Sequence, residues 1–523
     1  MTKATGMFKR ARRAFAGKQY RQHAEENPVV VTWCPMGGAV ELLGRELSMA
    51  LALNQRGVNN IVCLCGGALS ACCLRSFDDG KTIAEWGRIC EGCQDFSIAL
   101  LEQIGMPYRL MKDYLPRTGT ATHRRMAQDY ARNPENFSYK GLKTSFFALT
   151  STVRYFKGKE RKVDTRLYRA VLEEYFYSTL VCTDIAEEFL IRERFDKALF
   201  SNIQYAESGP AHDLFCKNGR RADVLMGGYK IKHLYAVHGS IERGPNLVNI
   251  EDNAWEALQT EELTSEENRE LDKYFSAVVR ERSKNLFSAS GQENLDGITI
   301  SSNKPLWVLF AHVHWDMIFE KGQDLFLDVQ DWVLQSIRYM SGIPEVNWVI
   351  RCHPGERLDG TIMKTVDLIR EECPQLPKHI QIAHGPHPNS YKLLERANGC
   401  VTIRSTAGLE ALMLGKPAIL AGPSYYGRKG FTYDADSRDH YHELLTSTPD
   451  IPPLDKEQTR LVRLLAHYHF IRRQIPFEIY DPISVETEFQ ALEELAHRRD
   501  KGVDILCNGI LNNTPFELPR KEE

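Results

Sequence analysis

The chain has 523 residues, is 43% hydrophobic and 26% charged, and carries a formal net charge of −3 at pH 7. This length predicts two or three domains, and the composition is that of an ordinary soluble globular protein. A net charge so close to zero excludes a partner that is selected by the electrostatics of the whole chain.

Residues 1–28 form a basic segment in which Lys and Arg alternate with Met7, Phe8, Phe15 and Tyr20. This pattern is typical of a basic amphipathic helix on an anionic membrane leaflet, and equally of a frayed, solvated terminus. The sequence contains no apolar run that could span a bilayer and no secretory signal with a small-residue cleavage site. We therefore expect a cytoplasmic protein, peripheral at the inner face of the cytoplasmic membrane if the first interpretation holds.

Residues 29–250 are predicted to form a Rossmann-like domain. A strand at Val29–Trp33 is followed by a glycine-containing turn, a helix from Ala39 to about Gln55, and a strand at Ile61–Cys65. A strand, a turn, a helix and a second strand in this order are typical of an open parallel sheet.

An insertion at 107–170 carries 15 Lys and Arg against five Asp and Glu. Aromatic side chains lie among these bases, for example Phe146, Phe147, Tyr155 and Phe156. The pattern predicts a local basic surface for an anionic acceptor or a lipid headgroup. Nucleic acid is not expected, because the chain has no zinc finger, RNA-recognition or helix-turn-helix signature.

Three cysteines, Cys72, Cys90 and Cys93, have the spacing C-x17-C-x2-C, with Cys65 and Cys73 close by. Such a group can hold zinc or an iron–sulfur cluster. Cys65, Cys72 and Cys73 do not provide a second pair with clean Cx2C spacing, and the total of 13 cysteines is odd. Reduced structural cysteines are therefore the favoured interpretation.

An acidic helical connector is predicted at 251–304. Its first part, Glu251–Asp272, has nine acids against one base, and Thr264 or Ser265 is expected to cap a helix there. Strands and helices alternate again over 305–435, which predicts a second Rossmann-like domain. The remaining residues, 436–523, are predicted to be a helical extension.

Several strands of the second domain end in polar residues. Ligands of open α/β sheets bind beyond the carboxyl ends of the strands, where loops and helix N-termini converge. The candidate ligand-binding and catalytic residues there are Arg351, His353, Pro354, Glu356, Ser390, Arg404, Ser405, Thr406, Gly408 and Glu410.

The segment RSTAGLE at 404–410 is predicted to hold a nucleotide. Ser405 and Thr406 offer hydroxyl groups, and the following helix N-terminus offers N–H groups to a phosphate. Gly408 would let the backbone approach the ligand, and Glu410 would bind a ribose hydroxyl. The alternative is a helix capped by its own Ser or Thr, without a ligand.

His353 and Pro354 follow an apolar strand. A histidine at this position can donate a hydrogen bond to a leaving phosphate or protonate it, and the proline would fix the turn. The alternative is a histidine that only closes a hydrogen bond at the strand end.

These motifs resemble a known family. The segments VIRCHPGE, ANGCVTIRSTAGLEALMLGKPAILAG and YYGRKGFT, with Ser390 between the first two, look like the bacterial capsule polysaccharide biosynthesis family, which includes the β-Kdo transferases. The paired His-Pro and Ser-Thr motifs are also similar to those of GT-B sialyltransferases, which use CMP-activated acidic sugars. The resemblance extends from the segment LFAHVHWD to Thr432.

The resemblance implies an α/β, GT-B-like fold with two Rossmann-like domains facing a central cleft and the donor in the C-terminal half. It implies that His353 contacts or protonates the donor phosphate, that Ser405 and Thr406 bind this phosphate, and that Glu410 binds the ribose or base. Arg351 and Arg404 would neutralise developing charge or bind the carboxylate of the sugar. Arg404 stands where close relatives are expected to have a small or amide residue.

The expected activity is glycosyl transfer in surface polysaccharide synthesis, from a nucleotide-sugar, preferably a CMP-linked acidic sugar, to a lipid-linked or oligosaccharide acceptor. No cofactor is expected. Alternatives are a UDP-sugar donor, a sugar-nucleotide 2-epimerase, and a non-catalytic assembly or export partner.

No catalytic metal is expected, because a helix N-terminus, His353 and an arginine can stabilise the leaving phosphate. Asp434 and Asp436 form an Asp-x-Asp pair that follows no predicted strand, so we interpret it as a helix cap. His312 and His314 are either a metal pair or, as we favour, one strand-end histidine and one packing residue.

The candidate catalytic base is Glu41, with Asp316 second. Glu41 follows the glycine turn of the N-terminal domain, and Asp316 ends the segment HVHWD. The alternative for Glu41 is a first-turn carboxylate that is favoured there by the helix dipole.

Overall fold

The computed structural model describes residues 8, 12, 20–74, 86–116, 119–134, 137–241, 249–250, 252–280, 298, 301, 303–316, 324–358, 361–384, 390–479 and 501–521. The chain divides into two compact units. The N-terminal unit comprises Met1–Phe156, Glu160–Leu247 and Arg473–Leu518. The C-terminal unit comprises Lys157–Lys159, Val248–Arg472 and Pro519–Glu523.

The strands of the described residues belong to two sheets. In chain order they are β1 (Val29–Cys34), β2 (Asn59–Leu64), β3 (Tyr108–Leu110), β4 (Lys197–Phe200), β5 (Arg221–Gly227), β6 (His233–Val237), β7 (Leu306–Phe310), β8 (Asn347–Arg351), β9 (Ile380–Ala383), β10 (Gly399–Thr402), β11 (Ala418–Leu420), β12 (Tyr433–Asp434) and β13 (Ile475–Pro476).

The α-helices of the described residues connect these strands. In chain order they are α1 (Val40–Asn54), α2 (Trp86–Ile104), α3 (Thr120–Arg132), α4 (Thr144–Phe156), α5 (Thr165–Arg192), α6 (Gly209–Lys217), α7 (Asp252–Leu258), α8 (Ser265–Arg280), α9 (Val329–Ser341), α10 (Gly355–Leu358), α11 (Thr365–Glu372), α12 (Ser390–Arg396), α13 (Thr406–Met413), α14 (Arg438–Thr446), α15 (Lys456–His467) and α16 (Lys501–Asn512).

The N-terminal sheet has the strand order β13-β6-β5-β4-β1-β2-β3. Its strands from β3 to β5 run parallel, while β6 pairs antiparallel with both β5 and β13. In β1 every residue after Val29 is buried, as expected of a parallel strand that is covered on both faces. The predicted strand–helix–strand unit is confirmed, with the second strand beginning at Asn59 rather than Ile61.

The C-terminal sheet has the strand order β12-β11-β10-β7-β8-β9, and all its pairs are parallel. Trp307, Trp332 and Trp348 are fully buried in its core. The strands and helices predicted between residues 305 and 420 are all present. Two Rossmann-like α/β units in one chain confirm the predicted fold class.

Apart from Lys157–Lys159, which belong to the C-terminal unit, the basic stretch 107–170 is part of the folded N-terminal unit rather than an added surface. It contains β3, which pairs with β2, and its helices α3 and α4 pack on α5. Phe147 and Phe156 are buried, so these aromatic side chains belong to the core. Lys140 is paired with Asp184 at 2.6 Å, which neutralises part of the predicted basic surface within the unit.

Helices α7 and α8 of the predicted connector belong to the C-terminal unit. Arg463 of α15 donates from Nε to Asn268 Oδ1 of α8 at 2.9 Å. Thr264 is confirmed as the cap of α8, because its Oγ1 accepts a hydrogen bond from the N–H of Glu267 at 3.2 Å. The acidic helices are therefore folded against the second unit rather than forming a separate connector.

The predicted helical extension 436–523 is divided between the two units. Helices α14 and α15 lie in the C-terminal unit, whereas residues 473–518 return to the N-terminal unit. There β13 extends the sheet beside β6, and α16 packs near β13 and α1. The position of residues 473–518 therefore depends on the pairing of β13 with β6, a strand that lies far away in the sequence.

Phe8 is described within the basic N-terminal segment. Its ring stacks on that of Phe96 in α2, with 4.1 Å between the ring centroids. This side chain therefore packs inside the protein and not on the membrane-facing side that the sequence suggested. In the described part of the chain, no helix is long and apolar enough to cross a bilayer.

The C-terminal tail is fastened to α8 by a buried carboxylate. Arg520 donates from Nε to Glu267 Oε1 at 3.0 Å and from Nη1 to Glu261 Oε2 at 2.9 Å. Glu267 has no exposed surface, and its pKa is lowered to about 2, mainly by the bond from Arg520 with a further bond from the N–H of Thr264, against the opposing effect of burial. The ion pair thus stabilises the folded C-terminal unit whenever Glu267 is ionised.

We expect Arg520→Gln to lower the free energy of unfolding by about 2 kcal/mol at pH 7, because a buried carboxylate loses its charged partner. A lowered pKa gives stability above pH 4.5 that is lost as the pH falls towards 2. The difference from wild type should therefore disappear over this range in denaturant titrations. The control is Lys521→Gln, whose exposed pairs with Glu266 and Glu270 contribute about 0–1 kcal/mol. If the two variants lower the free energy of unfolding equally, the Arg520–Glu267 ion pair is not the stabilising contact described here.

Candidate functional site

The candidate site lies at the carboxyl edge of the C-terminal sheet. β7 is central there and is flanked by β10 and β8. The loops that follow these three strands carry, respectively, Asp316, Arg404 and His353. Neighbouring parallel strands place their carboxyl ends at the same edge, so the predicted residues from distant parts of the sequence are brought to one region.

His353 is held in one orientation by its own loop. Its Nδ1 accepts a hydrogen bond from the N–H of Gly355 at 3.0 Å. Burial lowers the pKa of His353 to about 4, with smaller contributions from His312 and Arg351, while Asp316 acts in the opposite direction. The imidazole is therefore neutral at pH 7, and its proton lies on Nε2 because Nδ1 is an acceptor. Of the two predicted roles, a hydrogen bond to the phosphate or its protonation, the neutral state favours the hydrogen bond.

Asp316 is exposed and lies near both His353 and Arg404. Its negative charge raises the pKa of each of these groups against the lowering effect of burial. His312 also lies at this edge, with its ring centroid 6.2 Å from that of His353. The predicted second base candidate is thus beside the predicted catalytic histidine.

Glu41, the first base candidate, lies in the N-terminal unit. It is exposed in the first turn of α1, whose N-cap residue Ala39 makes no side-chain capping bond. A carboxylate at this position is favoured by the partial positive charge of the helix N-terminus. The predicted structural alternative for Glu41 therefore has a physical basis in this helix, and its role as a base stays a prediction.

Arg351 and Ser390, both predicted to bind the donor, contact each other. Arg351 donates from Nε to Ser390 Oγ at 3.3 Å and from Nη1 to the carbonyl oxygen of Ala383 at 3.3 Å. The arginine is 3% exposed, and burial lowers its pKa. These bonds join the ends of β8 and β9 to the start of α12. Pro354 follows His353 and is partly buried at the start of α10.

Arg404 has a carboxylate partner within the unit. Its Nη2 lies 2.6 Å from Asp324 Oδ1, and both side chains are largely buried. Burial lowers the pKa of Arg404, and the bond to Asp324 opposes this effect. The charge of Arg404 is therefore already balanced, which the sequence did not indicate because Asp324 lies 80 residues earlier.

Ser405 caps α13. Its Oγ accepts a hydrogen bond from the N–H of Ala407 at 3.3 Å, and its carbonyl oxygen accepts one from Tyr426 Oη at 2.6 Å. Thr406, half-buried, is the first residue of this helix. The arrangement agrees with the capped-helix interpretation, and it also presents the helix N-terminus at the carboxyl edge of β10.

Gly408 packs closely against Tyr426, and its predicted role beside a ligand stays a prediction. A Cβ atom at this position would lie 2.1 Å from Tyr426 Oη and 2.9 Å from Tyr426 Cζ. Tyr426 is fully buried. The glycine is needed for packing of α13 on this tyrosine, so a close approach to a ligand is not required to explain it.

Glu410 lies in α13 beside Tyr391 of α12. Burial raises the pKa of Glu410 to about 7, and a hydrogen bond from the Tyr391 hydroxyl acts in the opposite direction. Tyr391 is a site residue that the sequence interpretation missed, although it directly follows the predicted Ser390. The carboxyl group can accept from a ribose hydroxyl as predicted, and Tyr391 orients it.

Glu356 is a buried carboxyl group with partners inside the C-terminal unit, and its role in donor binding stays a prediction. Its Oε1 accepts from the N–H of Thr365 at 3.0 Å and from Thr365 Oγ1 at 2.5 Å. His314 completes the group, with Nε2 2.9 Å from Thr365 Oγ1. Burial raises the pKa of Glu356 to about 7. These contacts fix the start of α11. They also agree with the favoured interpretation of the pair His312 and His314, with His314 as the packing residue.

The described residues contain no group of three or more His, Cys, Asp or Glu side chains that could hold a metal ion. Cys72, Cys90 and Cys93 do not form such a group, and Cys93 Sγ accepts a hydrogen bond from the N–H of Gly38 at 3.0 Å. Its place beside the glycine turn is a packing role.

The Asp-x-Asp pair is engaged in local hydrogen bonds. Asp434 lies in β12, contrary to the expectation that it follows no strand, and its Oδ2 accepts from Thr432 Oγ1 at 2.6 Å. Asp436 pairs with His440 at 2.9 Å. The cap of α14 is Ser437, so the predicted cap is one residue beyond the pair.

The fold and this edge define an α/β protein with two Rossmann-like units and a candidate ligand site in the C-terminal unit. Residues 246–466 match the family model described as "Capsule polysaccharide biosynthesis protein". This match covers less than half of the chain and agrees with the resemblance predicted from its motifs. No curated protein matches the sequence significantly.

Solved structures give distant matches. The β-Kdo 2,4 transferase of KpsC from Thermosulfurimonas dismutans is 13% identical, with 58% of this chain and 87% of that chain covered and a TM-score of 0.35. The β-Kdo 2,7 transferase of the same organism's KpsC is 14% identical, with 61% and 90% covered and a TM-score of 0.31. The spinosyn rhamnosyltransferase SpnG is 11% identical, with 90% and 99% covered and a TM-score of 0.27. These three proteins are named as sugar transferases, and the similarity of this chain to them is distant.

Proposed function

We propose that the protein is a glycosyltransferase of capsule-type polysaccharide synthesis that transfers a sugar from a nucleotide-activated donor to a lipid-linked or oligosaccharide acceptor. The preferred donor is a CMP-linked acidic sugar, and a UDP-sugar is the alternative. The observation that carries the proposal is that β10, β7 and β8 are adjacent parallel strands, so the loops that follow them bring Arg404, Asp316 and His353 to one edge. The polar groups of three loops therefore share one edge of the sheet.

The proposed mechanism stabilises the leaving phosphate without a metal ion. Negative charge builds on this phosphate while the sugar becomes oxocarbenium-like. The Nε2–H of neutral His353 would donate to the phosphate, and the N-terminus of α13 at Ser405 and Thr406 would supply a partial positive charge. Glu410, oriented by Tyr391, would accept from the ribose.

The acceptor must lose a proton during transfer. Asp316 is an exposed carboxylate near His353 and is one candidate for the base, whereas Glu41 of the N-terminal unit is the other. The proposed location is the cytoplasm. Peripheral binding to the inner face of the cytoplasmic membrane through residues 1–28 would have to use side chains other than Phe8, which packs on Phe96.

A thermal-shift titration with CMP, UDP, GDP and ADP tests the donor site. A nucleotide at ~100 times its Kd should stabilise the protein by about 2.7 kcal/mol. We expect a shift with CMP that is lost in Ser405→Ala/Thr406→Ala, because both hydroxyl groups at the helix N-terminus are removed. If only UDP gives a shift, the proposal of a transferase stands, but the donor is a UDP-sugar rather than a CMP-sugar.

Loss of a helix cap lowers stability by itself, so the shift that the ligand induces is the quantity to compare. Thr264→Ala is the matched control, since it removes a hydroxyl cap from α8 in the same unit. This variant should keep the full shift. Absence of a shift with every nucleotide would contradict the proposal and favour the non-catalytic partner.

Turnover separates the enzyme classes. A transferase releases the nucleotide faster when an acceptor is present, whereas an epimerase isomerises the sugar-nucleotide without one. Isomerisation in the absence of an acceptor would replace the proposed reaction by that of a sugar-nucleotide 2-epimerase.

A further inference from the structure

A cavity of ≈ 280 Å³ lies in the C-terminal unit, beyond the carboxyl ends of β11 and β12. Its wall is made by the loop after β11, the residues around the end of β12, and a short segment before α7. Its lining includes Asn249, Tyr425, Arg428, Lys429, Asp434 and Asp436. None of the residues predicted to bind the nucleotide belongs to this lining.

The cavity adjoins the candidate donor site along the same edge of the sheet. A Cβ atom on Gly422 would lie 3.3 Å from Asp324 Oδ1, the atom that pairs with Arg404. Tyr425 lines the cavity, and the next residue, Tyr426, donates to the carbonyl oxygen of Ser405. The cavity wall is thus built on the same contacts that hold the N-terminus of α13.

The charged groups of the lining are balanced. Asp434 and Asp436 supply two carboxylates, while Arg428 and Lys429 supply two cations. Lys429 Nζ lies 5.3 Å from the ring of Trp255, and the N–H of Arg428 donates to Asp434 Oδ2 at 3.0 Å. A cavity without excess positive charge does not favour a phosphate. It suits a group whose hydroxyls both donate and accept hydrogen bonds.

Asn249 supplies an acceptor to this cavity. Its side-chain oxygen is buried and has no hydrogen-bond partner among the residues that the structure describes. A buried amide oxygen is costly without a donor, and a sugar hydroxyl would satisfy it. The volume is below the range of pockets for drug-sized ligands, which fits one monosaccharide and not a whole nucleotide-sugar.

We propose that this cavity binds the glycosyl group of the donor, with Asn249 and Asp436 accepting hydrogen bonds from its hydroxyls. This inference rests on the proposed function, since it assigns the sugar to a second part of the same donor site. The nucleotide would lie at the loops after β8 and β10, and its sugar would lie beyond β11 and β12.

The test compares the affinity for a nucleotide with that for its sugar conjugate. Isothermal titration would use CMP, CMP-N-acetylneuraminic acid, UDP and UDP-N-acetylglucosamine. Loss of one hydrogen bond to a hydroxyl should weaken binding of the conjugate by about fivefold to tenfold. We expect this loss in Asn249→Leu and in Asp436→Asn, with the affinity for the free nucleotide unchanged.

Asp436 is an exposed side chain, so its replacement by Asn should not impair folding, and retained binding of the free nucleotide verifies the fold of both variants. Asp450→Asn is the matched control, because Asp450 is exposed and lies outside the lining. If both cavity variants bind the conjugate as tightly as wild type does, the glycosyl assignment is overturned while the proposed function stands. If wild type binds neither nucleotide nor conjugate, both are overturned.

Discussion

Replacement of His353 by Ala should lower kcat by about 10²- to 10³-fold, the loss typical of removing one donor to a developing negative charge. His353→Gln should retain more activity than His353→Ala, because an amide N–H can replace a neutral imidazole N–H as donor. Both expectations follow from the neutral state of His353, whose pKa burial lowers to about 4. Steady-state kinetics with the donor identified by titration provides the measurement.

The pH dependence distinguishes a donor from an acid. A neutral His353 does not titrate between pH 6 and 8, so kcat/KM of wild type and of His353→Gln should depend on pH in the same way over this range. His442→Ala, at an exposed histidine stacked on Tyr339, should be fully active. A Gln variant as slow as the Ala variant, together with an inflection near pH 6.5 in wild type only, would show that His353 transfers a proton instead.

Replacement of Gly408 by Ala should lower the free energy of unfolding by about 1–3 kcal/mol, the usual cost of adding a methyl group to a packed core. The new Cβ atom would lie 2.1 Å from Tyr426 Oη, and this tyrosine cannot move away easily because it is fully buried and bonded to Ser405. Denaturant titration measures the effect. Gly342→Ala is the control, since its Cβ atom would meet its nearest neighbour, Tyr339 O, at an ordinary 3.5 Å.

A double-mutant cycle tests whether the clash with Tyr426 causes the destabilisation by Gly408→Ala. Tyr426→Phe alone loses the hydrogen bond to Ser405, which should cost about 1 kcal/mol. Combined with Gly408→Ala it also removes the closest clash, so the double variant should be less unstable than the sum of the two single variants. If Gly408→Ala is as stable as wild type and loses only nucleotide binding, the original prediction of a close approach to the ligand is correct after all.

The order of strands and helices in both units could be predicted from the sequence. Apolar runs such as Val29–Cys34 and Leu306–Phe310 are bounded by glycine, proline and polar residues, and these signals are local. The general location of the candidate site also followed, because parallel strands must place His353, Arg404 and Ser405 at one edge of the sheet. The match of residues 246–466 to the capsule polysaccharide biosynthesis model was likewise anticipated from motifs in the same loops.

The environment of each side chain could not be predicted, because it depends on contacts between distant residues. Arg404 is balanced by Asp324 and Glu356 by Thr365, and neither pairing has a local sequence signal. Burial then sets the charge of His353, which no local sequence signal indicated. The same holds for the cavity beside β12, which the sequence interpretation missed.

The sequence by itself determined the elements, the two α/β units and the edge where chemistry is expected, since local periodicity and the direction of parallel strands are enough for these. Only the tertiary structure decided that residues 473–518 return to the N-terminal unit and that Gly408 serves packing on Tyr426. The physical reason is that strand pairing, close packing and burial arise between segments that the chain brings together only when it folds.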